Sequence, residues 1–204
     1  MIDIGSVMRL SPVIPVLVID DAADARPLAE ALVAGGLTAL EVTLRTPAAL
    51  DAIREMATVP GAVVGAGTVV NEAQLVQALD AGAKFIVSPG LTETVARPAI
   101  ASGTAFLPGI ATAGDIMRGL DLGLLHFKFF PAAASGGTAA LKALASPFYE
   151  ARFCPTGGVT LATAGDWLAI KSVLCVGGSW MIPAGKFDPA AVRAAAAKAA
   201  TLKA

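Results

Sequence analysis

Short apolar phrases, many β-branched, alternate along the chain with longer stretches of helical periodicity. The strand phrases are 13–18, 39–44, 63–66, 85–88, 105–108, 127–130, 152–155 and 173–176. The helical stretches are 22–34, 47–57, 72–81, 93–102, 113–122, 138–145, 162–169 and 189–203. Helix boundaries carry their own chemistry. Asn71 is placed as an N-cap with Gln74 as its capping-box partner, and Thr92, Thr112 and Thr160 stand at similar starts. Gly35-Gly36, Gly82, Gly103 and Gly123 follow helices, where a left-handed residue is wanted.

Eight strand–helix units in 204 residues leave about 25 residues per unit, enough for one strand, one helix and two short loops. The expected fold is α/β: a closed (β/α)8 TIM barrel, one domain over residues 1–204. The alternative is an open doubly wound sheet, but the first strand–helix turn lacks its glycine signature. Gly65-Ala66-Gly67 is a G-x-G without the third glycine.

A composition of 55% hydrophobic and 15% charged residues excludes an intrinsically disordered chain. Fifteen basic against 16 acidic residues give a net charge of −1, so no basic field favours nucleic acid. The mean hydropathy of +0.70 raises the question of a membrane. No run approaches the roughly 18 apolar residues of a spanning helix, and no secretory leader is recognisable. A cytoplasmic protein is expected. Two cysteines and one histidine give neither a disulfide framework nor a metal cluster, so neither metal nor cofactor is expected.

Lys128 stands out in Leu124-Leu125-His126-Phe127-Lys128-Phe129-Phe130-Pro131. On a strand it shares a face with His126 and Phe130, while Phe127 and Phe129 take the other. Burying an ammonium is costly, so the lysine either pairs with a carboxylate or gives up its proton. In the second case it is a nucleophile able to form a Schiff base. The strand Leu40-Glu41-Val42-Thr43-Leu44-Arg45 alternates apolar and polar positions, giving a polar column that ends in a cation. Parallel barrel strands are covered outside, so this column belongs inside, with Glu41 as an acid/base and Arg45 as a fork for a carboxylate.

Two further strand ends read as anion cradles: Thr156-Gly157-Gly158 after the seventh strand and Gly177-Gly178-Ser179 after the eighth. Barrel phosphate sites use these two loops, where glycine lets backbone N–H groups approach an anion. The implied substrate carries a carboxylate, a carbonyl and a phosphate.

Five phrases resemble those of the 2-keto-3-deoxy-6-phosphogluconate (KDPG) and 4-hydroxy-2-oxoglutarate (KHG) aldolases. They are Glu41-Val42-Thr43-Leu44-Arg45-Thr46, Val64-Gly65-Ala66-Gly67-Thr68-Val69, Ser88-Pro89-Gly90, Phe127-Lys128-Phe129-Phe130-Pro131-Ala132 and Cys154-Pro155-Thr156-Gly157-Gly158. The segment 174–180 continues the match, which spans nearly the whole chain. The resemblance implies a class I aldolase, a homotrimer, acting in the Entner–Doudoroff pathway. Lys128 would form the Schiff base and Glu41 would move protons. Arg45 and Thr68 would hold the pyruvyl carboxylate, and Pro89 and Phe130 would line the pyruvyl pocket. Thr156 would approach the hydroxylated carbons, and Gly157, Gly158, Gly178 and Ser179 would hold the phosphate.

Three competing readings follow from the same residues. One is the galactonate-epimer aldolase, which differs at C4, a centre that Thr156 could read. Another is an isomerase or epimerase without an imine. The third is a non-catalytic phospho-sugar-acid-binding barrel, in which Lys128 would be a salt-bridge residue. Elsewhere the expectations are plain. Cys154 and Cys175 are reduced core residues, and His126 is structural and lies deeper than Lys128. Trp167 and Trp180 pack, and Met8, Met56, Met117 and Met181 fill gaps. Lys84, Lys142 and Lys171 are solvated. Trp180, Met181 and Phe187 suggest an apolar patch for a subunit contact.

Overall fold

The computed structural model describes residues 2–182 and 188–202. Phe187 and Lys203 lie outside them. The strands are β1 (Val13–Leu17), β2 (Ala39–Thr43), β3 (Val63–Gly67), β4 (Phe85–Val87), β5 (Ala105–Leu107), β6 (Gly109–Ile110), β7 (His126–Phe129), β8 (Arg152–Pro155) and β9 (Val176–Gly178). All pair in parallel, in the orders β5-β4-β3-β2-β1-β9 and β6-β7-β8. The two sheets are parts of one cylinder. β5 and β6 are halves of one stave interrupted at Pro108, the first half pairing with β4 and the second with β7. Bridges from Phe153 to Val173 and from Thr156 to Gly177 join β8 to the β9 segment. Eight staves therefore close the (β/α)8 barrel.

The helices are α1 (Ile4–Met8), α2 (Ala25–Ala34, after a 3-10 turn at Ala22–Asp24), α3 (Ala49–Ala57), α4 (Glu72–Asp80), α5 (Glu93–Ala101), α6 (Ala113–Asp121), α7 (Gly137–Ala145), α8 (Ala164–Leu168) and α9 (Pro189–Ala200). Alternation along each strand divides the core in two. Leu40, Val42, Phe127, Phe129 and Phe153 face the helices, where Phe129 meets Trp167 at 6.2 Å between ring centroids. Ile14, Ala39, Phe85, Val87, Leu107, Cys154 and Cys175 fill the barrel. Fully burying one such large side chain contributes about 1.5–3 kcal/mol.

Helix α1 was not expected. Its signal is short: Asp3 caps the N–H of Ser6, and Ile4, Val7 and Met8 share one face. Val7 and Met8 join the inner core, so α1 closes the N-terminal mouth of the barrel. The half-buried His126 lies against it, and a Cβ on Gly5 would come within 2.8 Å of its Nε2. Burial, then the cations of Arg9 and Arg152, depress the His126 pKa against the opposing pull of Asp3. Its place at the base of the barrel agrees with the structural reading.

Several expectations need correction. The last strand is Val176–Gly178 rather than 173–176, because the glycines expected in its loop instead pair with Ile14 and Pro15 of β1. The helix expected at 162–169 begins at Ala164; Thr160 instead donates its N–H to the hydroxyl of Thr163 at 3.0 Å. Thr92 caps by position only, its hydroxyl lying 3.1 Å from that of Thr94. Asn71 caps Gln74 as expected, but the Gln74 side chain reaches the N–H of Val70. The complete capping box is at Thr112 and Asp115. Met117 is 58% exposed and fills no gap. Met181 is fully buried, so it contributes nothing to a surface patch with the half-buried Trp180.

Candidate active site

The centre of the site is one contact across the barrel. Glu41 on β2 and Lys128 on β7 point inward, four staves apart, and the Lys128 ammonium donates to Glu41 Oε1 at 2.9 Å. The side chains are 3% and 7% exposed, so the pair is almost wholly removed from water. Of the two readings of the lysine, the structure shows it paired with a buried carboxylate.

Room for this pair comes from β3. Its inward positions are Gly65 and Gly67, opposite Glu41 and Thr43. A Cβ on Gly67 would overlap the Glu41 carboxylate, and one on Gly65 would overlap the Phe85 ring. Thr68 follows with φ of 61°, a left-handed conformation that β-branched residues rarely adopt. Such strain persists where the surroundings impose it, commonly at functional sites. Sequence spacing gave no sign of it.

The rest of the site sits on neighbouring strand ends. Phe130 lies just past β7, with the Lys128 Nζ 5.4 Å from its ring centroid. Pro89 follows β4 and packs its carbonyl against Gly109, the residue paired with Lys128. At the β2 end, the exposed Arg45 donates through Nε to the Thr43 hydroxyl at 3.1 Å. Thr156 closes β8, buried, with its hydroxyl only 3.4 Å from the Cys154 carbonyl. The same hydroxyl lies 3.8 Å from the Cys154 sulfur.

Gly157 and Gly158 follow Thr156 with φ of 98° and 78°, values open to glycine. Gly178 and Ser179 stand on the next stave, coupled by the Thr156–Gly177 bridge. A Cβ on Gly177 would meet the Thr156 hydroxyl, and one on Gly178 the Trp180 ring. All eleven residues singled out as site candidates therefore lie at or near the C-terminal ends of the staves, on one rim. The buried thiols lie in the inner core; Cys175 has its ionisation pushed well up, first by its hydrogen bond with Cys154 and then by burial.

Comparison with known proteins agrees with this geometry. The family described as KDPG and KHG aldolase matches residues 4–195. A 2-dehydro-3-deoxy-phosphogluconate aldolase of Zymomonas mobilis is 61% identical over 201 residues, covering 98% of this chain and 97% of that protein. A crystal structure of the Z. mobilis ZM4 2-keto-3-deoxy-6-phosphogluconate aldolase with 3-phosphoglycerate has a TM-score of 0.97 at 61% identity, covering 98% of this chain and 96% of that one. The KDPG aldolase of Legionella pneumophila, with pyruvate captured as a covalent carbinolamine, gives 0.95 at 42% identity, covering 98% and 99%. The chain belongs to the KDPG and KHG aldolase family.

Proposed function

We propose that the chain is a class I aldolase, one catalytic domain, which cleaves 2-keto-3-deoxy-6-phosphogluconate to pyruvate and glyceraldehyde 3-phosphate and also accepts 4-hydroxy-2-oxoglutarate. The observation that carries the reading is the buried Lys128–Glu41 contact at 2.9 Å inside a barrel of this family. A family member holds pyruvate as a covalent carbinolamine, and Lys128 is the amine that supplies such a bond here. Glu41 takes the ammonium proton. The amine adds to the C2 carbonyl, and Glu41 returns protons to expel water, leaving a protonated imine.

The imine is the electron sink for the next step. Glu41, through a water, removes the C4 hydroxyl proton. The C3–C4 bond breaks, its electrons form an enamine on Lys128, and C4 leaves as the aldehyde. Protonation at C3 and hydrolysis release pyruvate and regenerate the amine. Arg45 and the constrained Thr68 bind the carboxylate, Pro89 and Phe130 enclose the pyruvyl group, and Thr156 meets the hydroxylated carbons. Gly157, Gly158, Gly178 and Ser179 cradle the phosphate through backbone N–H groups and a hydroxyl. No metal enters these steps, because the imine stabilises the developing carbanion.

The working form proposed is a homotrimer acting in the cytoplasm, in the Entner–Doudoroff pathway. Among the described residues no helix is long and apolar enough to cross a membrane.

Borohydride reduction in the presence of pyruvate, read by peptide mass spectrometry, tests the chemistry. The expected result is a reduced pyruvyl adduct on Lys128, absent from Lys128→Ala. A folded protein that binds pyruvate without forming an adduct would make Lys128 a structural cation and end the aldolase reading.

A further inference from the structure

Arg45 is exposed on the rim, and an exposed arginine ordinarily samples many rotamers. Here its base is fixed. The backbone ladder between β1 and β2 runs through Val16–Glu41 and Leu17–Val42. Where it stops, side chains take over the stitching. The Thr43 hydroxyl donates to the carbonyl of Leu17 at 2.8 Å, and the Thr46 hydroxyl donates to that of Ile19. On the other flank, the Leu44 N–H donates to the carbonyl of Gly67 at 2.8 Å.

Thr43 has a second task. Its one O–H is committed to Leu17, so its oxygen lone pairs face the Arg45 Nε–H at 3.1 Å and accept from it. The guanidinium keeps its Nη donors for a ligand. Thr43 is 2% exposed, and so rigid a base restricts where the arginine fork points.

We infer that Thr43, with Thr46 bracketing the turn, is a positioning residue that pre-orients Arg45 for the carboxylate of the keto acid. The inference rests on the proposed Schiff-base function. It assigns Thr43 an effect on the substrate concentration needed and not on the bond-forming step.

The test is the pyruvate concentration that gives half-maximal borohydride-trapped adduct on Lys128. Thr43→Val keeps the shape and removes the hydroxyl. It is expected to raise that concentration about tenfold, the scale of one charge-assisted hydrogen bond, with the adduct yield at saturation retained. Thr43→Ser restores the hydroxyl and is expected within about twofold of the parent. In an Arg45→Ala background, Thr43→Val should add less than about twofold, since its effect runs through Arg45. An unchanged half-saturation in folded Thr43→Val, or the same tenfold rise without Arg45, overturns the inference. If Thr43→Val does not fold, Thr43→Ala, which also lacks the hydroxyl, is read in the same way, and an unmoved half-saturation there overturns it. Absence of any adduct in the parent overturns the aldolase reading itself, which separates the two failures.

Discussion

A single missing methyl group decides the geometry at Glu41. A Cβ on Gly67 would occupy the space of the Glu41 carboxylate, and the residue on which it would stand is fixed in a central stave. Gly67→Ala is therefore expected to swing the carboxylate away from Lys128. Adduct formation with pyruvate should slow about a hundredfold, the lower range of a lost general acid–base, while circular dichroism keeps its native form. An adduct rate equal to that of the parent would mean that the carboxylate can move without loss. At this scale the sequence was most legible where a residue type is unusual for its place. Lys128 in an aromatic strand and Glu41 in a covered one betray themselves because burying a charge needs a reason. Thr68 does not, since its identity carries no trace of a φ of 61°. Thr43 was visible as part of a polar column, but its hydrogen bonds depend on β1, a separate stretch of chain.

Among the elements, α6 has the most complete start. Thr112 and Asp115 cap one another, and Asp115 also accepts from the N–H of Ala111 at 3.1 Å. Burial alone would raise the Asp115 pKa. The Ala111 and Thr112 donors, with Arg118, outweigh burial and hold it below the ordinary value. A depressed carboxyl stabilises the fold above its unfolded pKa and loses that contribution as pH falls through the folded one. Asp115→Asn is thus expected to cost about 1 kcal/mol at neutral pH, with the gap to the parent narrowing below about pH 4. Urea titrations at pH 7 and pH 3.5 check it; a gap that stays constant would remove the charge from the explanation. Strand and helix order was readable because period 2 and period 3.6 alternate so regularly. Errors fell where periodicity is silent: the five-residue α1, the break at Pro108, and a last strand built partly of glycine. Glycine pairs in that strand because Thr156 and Trp180 need the space, a tertiary demand that local propensity does not record.

At the scale of the whole molecule, two cores share one sheet. The outer core is continuous with the helices, and the inner one is closed below by α1 and turns polar above Glu41 and Lys128. Val18, Val70 and Val76 remain 44%, 52% and 50% exposed, so the surface keeps aliphatic area that an assembly could cover. Light scattering of the purified protein is expected to give three chain masses, and a single chain mass at working concentration would remove the homotrimer. The barrel, its eight units and its rim were legible from the sequence as a whole. The trimer rests on the family resemblance; of the residues suggested for a contact patch, Met181 turns inward and Phe187 lies outside the described residues.

The diametric placement of Lys128 and Glu41 ties the chemistry to the girth of the barrel. Barrel diameter grows with the number of staves. A ten-stave relative carrying the same two residues on opposed strands would hold amine and acid farther apart, and a six-stave one would bring them closer together. In the chemistry proposed for this pair the lysine arm works as a gauge, and circumference becomes a catalytic parameter, set by how many times the strand–helix phrase is repeated.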